Sequence, residues 1–281
     1  MGLDVNSIPK KCETMQLTDA HYDELLENGF VIIPNFLPEA ERAELAAAQR
    51  RVLKPWDEVK DNPPANSSMF APWPTPEPAL NRGVLQPELI DFARRYLGTD
   101  DVHYRAGMML ARYPGFKGDG DRSHVDNGNN SLLPPSESHK EFGQIQFWIH
   151  LEDVGEDQGP LRLVPRQYGR DLSKAVPFVC TGGTVCIFTN YLYHAATEFK
   201  ASEGQRFTWG LAVGRADHYW EGFRHYTDMG LNPHFRELIS SLSAREREFF
   251  RFPPAGHYYY TPQTLEALEQ QYPGWNARGE Y

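Results

Sequence analysis

A mostly β fold, a double-sheet jelly roll (a double-stranded β-helix of the cupin-like kind) flanked by N- and C-terminal helices, is predicted by three features of this 281-residue chain. Short strand-like runs recur from about residue 102 to 213, separated by Gly and Pro, as in antiparallel strands that fold into two sheets. The segment 144–151 alternates, with Ile145, Phe147, Ile149 and Leu151 on one side and Gln144, Gln146, Trp148 and His150 on the other. Before and after this region, apolar residues recur at helical spacing.

Thr18 caps a helix running to about Asn28, where Gly29 stops it. Phe30–Ile33 reads as a short buried strand, and Pro38 opens a helix rich in Ala, Glu and Arg that ends near Leu53. From Pro55 to Pro78, the prolines at 63, 64, 72, 74, 76 and 78 predict an irregular covering loop, a wall of the pocket. A helix over Pro87–Leu97 buries Leu89, Ile90, Phe92, Ala93, Tyr96 and Leu97, and Gly98 ends it. Strands are expected near 104–113, 144–151, 161–164, 176–180, 184–189 and 206–213. Beyond residue 216, helices are expected over Leu238–Phe250 and Pro262–Gln271.

Residues 1–16 read as a loose leader and 17–281 as a single domain. Within it, 216–281 forms an extension rich in aromatic residues: Tyr219, Trp220, Phe223, Tyr226, Tyr258, Tyr259 and Tyr260. Such a cluster is more often core than pocket. The chain shows no internal repeat and no low-complexity run.

Hydrophobic content of 40% with both charge signs fits a globular protein. The net charge of −10 argues against a nucleic-acid partner, which requires clustered Lys and Arg. Cys12, Cys180 and Cys186 make neither a disulfide framework nor a zinc motif, which suits a reducing cytoplasm. No apolar run approaches a membrane span, and the N-terminus lacks an apolar signal region. Asn6 stands where a myristoylation motif after Met1-Gly2 calls for Ser or Thr. These features describe a cytoplasmic protein with no membrane or nucleic-acid partner.

The most informative motif is His124-Val125-Asp126, followed by His194 and then, twelve residues on (206 − 194), by Arg206. Two imidazoles and one carboxylate are the ligand set of a non-haem Fe(II) site with open coordination positions. In an extended segment His124 and Asp126 project to one side while Val125 points away, so the third ligand must come from a distant strand. His194 stands just past the apolar run 184–188. A His-X-Asp triplet alone is common, and most histidines are surface or satisfied interior residues. The specificity comes from the combination with His194 and with Arg206, whose fork suits the distal carboxylate of a 2-oxo acid. Alternation puts Thr208 on the Arg206 face, with Phe207, Trp209 and Leu211 opposite.

At these residues the chain resembles the phytanoyl-CoA dioxygenase-like family of Fe(II)/2-oxoglutarate oxygenases, over most of residues 18–215. The stretch from Phe147 to Val154 with Gln158-Gly159-Pro160-Leu161-Arg162-Leu163-Val164-Pro165 looks like the family's Trp strand, acidic corner and Gly-rich turn. Gly183-Thr184-Val185-Cys186-Ile187-Phe188 and Asn28-Gly29-Phe30-Val31-Ile32-Ile33-Pro34 also match. Arg166-Gln167-Tyr168 departs from the family's Gly-Ser-His, which puts the shape of that turn in doubt but not the metal site.

The resemblance implies an enzyme with Fe(II), 2-oxoglutarate and O2, oxidising a C–H bond while the co-substrate is decarboxylated to succinate. Hydroxylation is the default, with desaturation, ring closure and epoxidation possible on the same iron. Asp126 disfavours halogenation, because related halogenases have a small residue there. Thr184, Gln144 and Gln146 are further candidates for holding 2-oxoglutarate, although both glutamines could equally face solvent. Asn127, Asn129 and Trp148 are candidates for substrate contact, since the loop from Asp126 to Glu141 leaves directly from the ligands. A plain surface loop is the competing reading. Two other functions stay open: a jelly-roll protein that binds a ligand at its metal site without turnover, and a zinc hydrolase, for which no general-base carboxylate stands at a motif spacing.

Overall fold

The computed structural model describes residues 17–118, 120, 123–126, 144–217 and 232–281. The expected leader 1–16, most of the loop after Asp126, and Tyr219, Trp220, Phe223 and Tyr226 lie outside the described residues. Helix α1 (Asp19–Asn28) starts at Thr18, whose side chain accepts from His21 N while His21 Nδ1 accepts from Thr18 N, and it ends at Gly29 with φ 79°. Strand β1 (Phe30–Ile33) follows, then α2 (Glu39–Val52), α3 (Trp56–Val59), β2 (Ser68–Pro72), α4 (Pro78–Arg82) and α5 (Pro87–Leu97). The strand region comprises β3 (Val102–Arg112), β4 (Gln144–His150), β5 (Leu161–Leu163), β6 (Val176–Pro177), β7 (Thr184–Thr189), β8 (His194–Ala196) and β9 (Arg206–Arg215). The chain closes with α6 (Pro233–Ser241), α7 (Ala244–Glu248), α8 (Pro262–Gln271) and α9 (Ala277–Glu280).

The strands form two antiparallel sheets, one in the order β1-β7-β4-β9-β3-β2 and one in the order β6-β5-β8. The larger sheet separates two apolar clusters, and strand alternation decides which residue joins which. Ile145, Phe147, Ile149, Val185, Ile187, Phe207, Trp209, Leu211 and Val213 face the helices and join Leu25, Leu45, Leu89 and Phe92. The opposite face contributes Phe30, Cys186 and Phe188, which pack with Leu161 and Leu163 of the smaller sheet. Apolar burial on both faces thus fixes the register, since a slip of one residue would exchange the two sets. Gly83 allows the closest approach on the helical side: a Cβ there would lie 2.2 Å from the Trp209 ring.

The C-terminal residues belong to the helix-side cluster. Phe235, Leu238, Ile239, Phe249, Phe250, Leu265, Leu268, Tyr272 and Trp275 are buried with the core of the larger sheet. Arg247 holds the end of the chain: Nε donates to Ile239 O at 3.0 Å, Nη1 pairs with Glu280, and the guanidinium lies 4.0 Å from the Trp275 ring centre. Of the aromatic residues singled out in the sequence that are described, Tyr258 and Tyr259 are 88% and 42% exposed, and Tyr260 packs partly buried against this core.

Several expectations need correction. Helices make up 36% and strands 24% of the described residues, so the protein is not mostly β. The excess comes from the helices that precede β3 and follow β9, which pack on one face of the larger sheet. The proline-rich stretch 55–78 is not an irregular loop throughout, because β2 pairs with β3 from Ser68↔Arg112 to Pro72↔Met108. That strand is an edge, where Pro72 needs no partner for the N–H it lacks. Leu238–Phe250 is two helices, because Ser243 takes up a capping box with Glu246 and restarts the helix. The strand expected at 176–180 keeps only Val176–Pro177, with Cys180 in an isolated bridge to Val154. His194 stands just past β7, as expected, and itself opens the short strand β8.

Candidate metal centre

His124, Asp126 and His194 come together, with one potential ligand atom from each within 4.8 Å of the others. The backbone places them: His124 N donates to His194 O at 3.0 Å and His194 N to His124 O at 2.9 Å, an isolated antiparallel bridge. Residues paired in this way project to the same face, so the two imidazoles lie side by side with ring centres 4.6 Å apart. Asp126, two residues along, projects to that face too, with Oδ1 3.7 Å from His124 Nε2 and 3.9 Å from His194 Nε2. Val125 turns the other way and lines a separate cavity.

The three candidate ligands differ in setting. The His194 side chain is 4% exposed, and its ring sits 5.4 Å from that of Phe188, whereas the His124 side chain is 51% exposed. His194 Nδ1 lies 2.9 Å from Leu192 O. The imidazole therefore donates from Nδ1, and the Nε2 lone pair turns toward Asp126, the arrangement of a histidine prepared to ligate a metal. Two nitrogen donors and one carboxylate, at spacings near the span of two bonds of about 2 Å each, fit a divalent first-row ion.

Arg206 opens β9 and is 2% exposed, with Nη1 donating to Gly159 O, which fixes one end of the fork. On the same face Thr208 is buried, and its hydroxyl has no hydrogen-bond partner among the described residues. His150 is buried beside them: Nδ1 bonds Phe207 O at 2.7 Å and Nε2 has no partner among the described residues. Burial, then the Arg206 charge, push the His150 imidazole down to about 3, so it stays neutral. A buried hydroxyl without a partner next to an arginine fork is a cradle for a carboxylate, and it fits the distal end of 2-oxoglutarate.

The other candidate residues divide. Gln144 and Gln146 are buried rather than solvent-facing, on the face of β4 that looks toward the smaller sheet. Trp148 shares that face and packs edge-on against Phe188, which in turn touches His194, so it stands one ring away from that histidine. Thr184 is buried, but its hydroxyl donates to Thr181 O at 2.7 Å. Asn127 and Asn129 lie outside the described residues. Sequence reading overlooked His150 and Phe188 as parts of the site and gave Thr208 no role. The alternation that places Thr208 with Arg206 was the signal for the threonine. Nothing local marks Phe188, since its proximity to His194 arises from the packing of β7 against β8.

A family model described as phytanoyl-CoA dioxygenase matches residues 25–207, more than half of the chain, from the end of α1 to the start of β9. No curated protein matches the sequence. Solved structures similar to this chain include the non-heme alpha-ketoglutarate-dependent carbocyclase SnoK from nogalamycin biosynthesis, at 20% identity and TM-score 0.52, covering 72% of this chain and 85% of that one. Another is HygX from Streptomyces hygroscopicus with nickel and 2-oxoglutarate bound, at 16% and 0.53, covering 72% and 89%. EvdO2 from Micromonospora carbonacea var. aurantiaca, complexed with 2-oxoglutarate, gives 16% and 0.54, covering 73% and 93%. At these identities the likeness is one of fold.

Proposed function

This chain belongs to the phytanoyl-CoA dioxygenase family and is an iron- and 2-oxoglutarate-dependent oxygenase, and from that premise we propose that His124, Asp126 and His194 hold the Fe(II) and that Arg206 holds the distal carboxylate of 2-oxoglutarate. The substrate is a small organic molecule, and hydroxylation of one of its C–H bonds is the reaction. Compounds such as hygromycin B, present in a structure of HygX, illustrate the size of molecule a fold of this kind accepts. The two antiparallel sheets, with a shared apolar layer from β1, β5 and β7 between them, are read as the halves of a double-stranded β-helix. Residues 17–281 are read as one domain, supported by the burial of α6 to α9 in the same cluster as α1, α2 and α5.

When bound, the iron and 2-oxoglutarate supply oxidation of a C–H bond by O2, with succinate and CO2 as the products of the co-substrate. The chain's own residues orient and protect. The Leu192 carbonyl holds the His194 tautomer, and the His124–His194 bridge sets the spacing of the imidazoles. Arg206 and the Thr208 hydroxyl orient the far end of the co-substrate, and His150, kept neutral, adds no second positive charge beside the arginine. Phe188 and Trp148 form an apolar wall that keeps water from one side of the centre.

The observation that carries this reading is the convergence of His194 with the distant His124-Val125-Asp126 segment, which brings His124, Asp126 and His194 around one point. The test is formation of succinate from 2-oxoglutarate by the purified protein. It should require both Fe(II) and O2 and disappear in Asp126→Gly. Succinate formation that is independent of iron, or undiminished in the variant, contradicts the assignment.

A further inference from the structure

We propose that Phe70, Pro72, Met108, Leu110 and Trp148 form an apolar shelf that seats the substrate, and that this substrate carries an apolar, unsaturated ring system. The proposal rests on the oxygenase reading above, since it concerns the substrate of that same centre. Strand pairing assembles the shelf. Pro72 of β2 stands opposite Met108 of β3, Met108 opposite Gly210 of β9, and Gly210 opposite Trp148 of β4. In the adjacent row Phe70 stands opposite Leu110, and Leu110 opposite Thr208. Directly paired residues project to one face of a sheet, so all five stand on the face that carries Arg206 and Thr208. Two of the five come from the proline-rich stretch 55–78, which the sequence analysis expected to wall the pocket.

Gly210 joins the two halves of the shelf. A Cβ there would lie 3.4 Å from Met108 Cγ and 3.4 Å from Trp148 Nε1, so the thioether and the indole close over a bare strand. Trp148 packs against Phe188 with ring centres 5.8 Å apart, and Phe188 against His194 at 5.4 Å. The shelf therefore runs from beside a candidate metal ligand out to the edge strand. Its surface is accessible: Phe70 is 58% exposed, and Met108, Leu110 and Trp148 are half-buried. Met109, Ala111, Phe147 and Ile149, their chain neighbours on the opposite face, are shut into the core. Contiguous accessible apolar side chains beside a reactive centre mark a ligand groove. The co-substrate occupies the Arg206 end, and the row through Met108 and Trp148 holds a second molecule near the metal. Two aromatic rings and a thioether favour a flat ring by stacking and by sulfur–aromatic contact. The only polar hydrogen these five side chains offer is the Trp148 indole N–H, too little for the hydroxyls of a sugar.

The shelf is part of the sheet, so its occupancy is measurable without any metal. Metal-free full-length protein with isotope-labelled methionine methyl groups is titrated with 2-naphthol and, separately, with methyl glucoside, while Met108→Leu assigns the Met108 signal. Adjacent methionines supply the control, because Met108 lies on the shelf and Met109 in the core behind it. 2-Naphthol should shift the Met108 methyl signal saturably and leave that of Met109 in place. Methyl glucoside should move neither. Phe70→Ser should weaken 2-naphthol binding about tenfold, through loss of one of the two rings. Phe70 is mostly exposed, so the variant keeps the fold. An unmoved Met108 signal, equal shifts at Met108 and Met109, an equal response to methyl glucoside, or unchanged 2-naphthol affinity in Phe70→Ser would each overturn the proposal. None of these outcomes bears on the iron assignment, which is tested through succinate.

Discussion

His124 and His194 exchange both of their backbone hydrogen bonds across a single antiparallel bridge, at 3.0 and 2.9 Å. One bridge, not a ladder, joins the His-Val-Asp segment to β8, and the two imidazoles it aligns have very different surroundings. His194 is packed against Phe188 and hydrogen-bonded to Leu192 O, whereas His124 is half in solvent. In metal-free protein, His124→Ala should therefore change unfolding free energy by no more than about 0.5 kcal/mol, and His194→Ala should cost roughly 1–3 kcal/mol. Urea denaturation of the two variants measures the asymmetry, and equal costs would show that the burial difference has no energetic weight.

Arg206→Ala should raise the apparent KM for 2-oxoglutarate far more than it weakens iron binding. Loss of one side of a buried, charge-assisted pair costs on the order of 2–5 kcal/mol. Arg206→Lys should recover only part of it, because an ammonium cannot reproduce the planar fork. Initial rates against 2-oxoglutarate concentration, beside a metal titration of each variant, separate the two effects. An unchanged co-substrate dependence would remove Arg206 from the site.

His150 makes the fold acid-sensitive in a defined window. Below its ordinary value near 6.5 the unfolded chain takes up a proton that the buried imidazole refuses until about 3. The unfolded state then binds more protons, so this contribution to stability is complete above about pH 6.5 and is lost as the pH falls toward 3, at up to about 1.4 kcal/mol per pH unit. His150→Gln should lose less stability than wild type between pH 7 and pH 5 by urea denaturation. A parallel loss in both proteins would mean that another group governs the window.

The C-terminal helices should be essential to the fold. Arg247 is buried, and it joins Ile239 O, Glu280 and the Trp275 face at once. Arg247→Ala should lower stability by about 3–5 kcal/mol, since it leaves a carbonyl and a carboxylate without their partner. Glu280→Gln, at a partly exposed position, should cost much less. Thermal denaturation of both variants tests the ranking, and similar losses would place the anchor elsewhere.

The parts of the fold legible in the sequence were those with an unambiguous period. The alternation of 144–151 and of 206–213 sorted residues correctly between the helical face and the face toward the smaller sheet, because each face of the larger sheet meets its own apolar layer. The convergence of His124, Asp126 and His194 was legible because three ligand-type side chains at that spacing are rare in combination. Strand β2 was hidden by the prolines around it and by Pro72 at its end, which an edge strand tolerates on the side that faces away from its neighbour. The break between α6 and α7 was hidden because Ser243 and Glu246 read as ordinary helix-surface residues until their mutual capping is seen. The short strand β8 carried no signal of its own, since three residues cannot display a period.

The central claim is that one Fe(II) is gripped by His124, Asp126 and His194 while 2-oxoglutarate chelates it. The most direct measurement is the anaerobic titration of purified protein with Fe(II) and 2-oxoglutarate, followed by the weak visible charge-transfer band of that chelate. Wild-type protein should develop the band, and His124→Ala and His194→Ala should each fail to develop it under the same conditions, because each removes one of three protein ligands. A band of full strength in both variants would place the metal elsewhere and contradict the account.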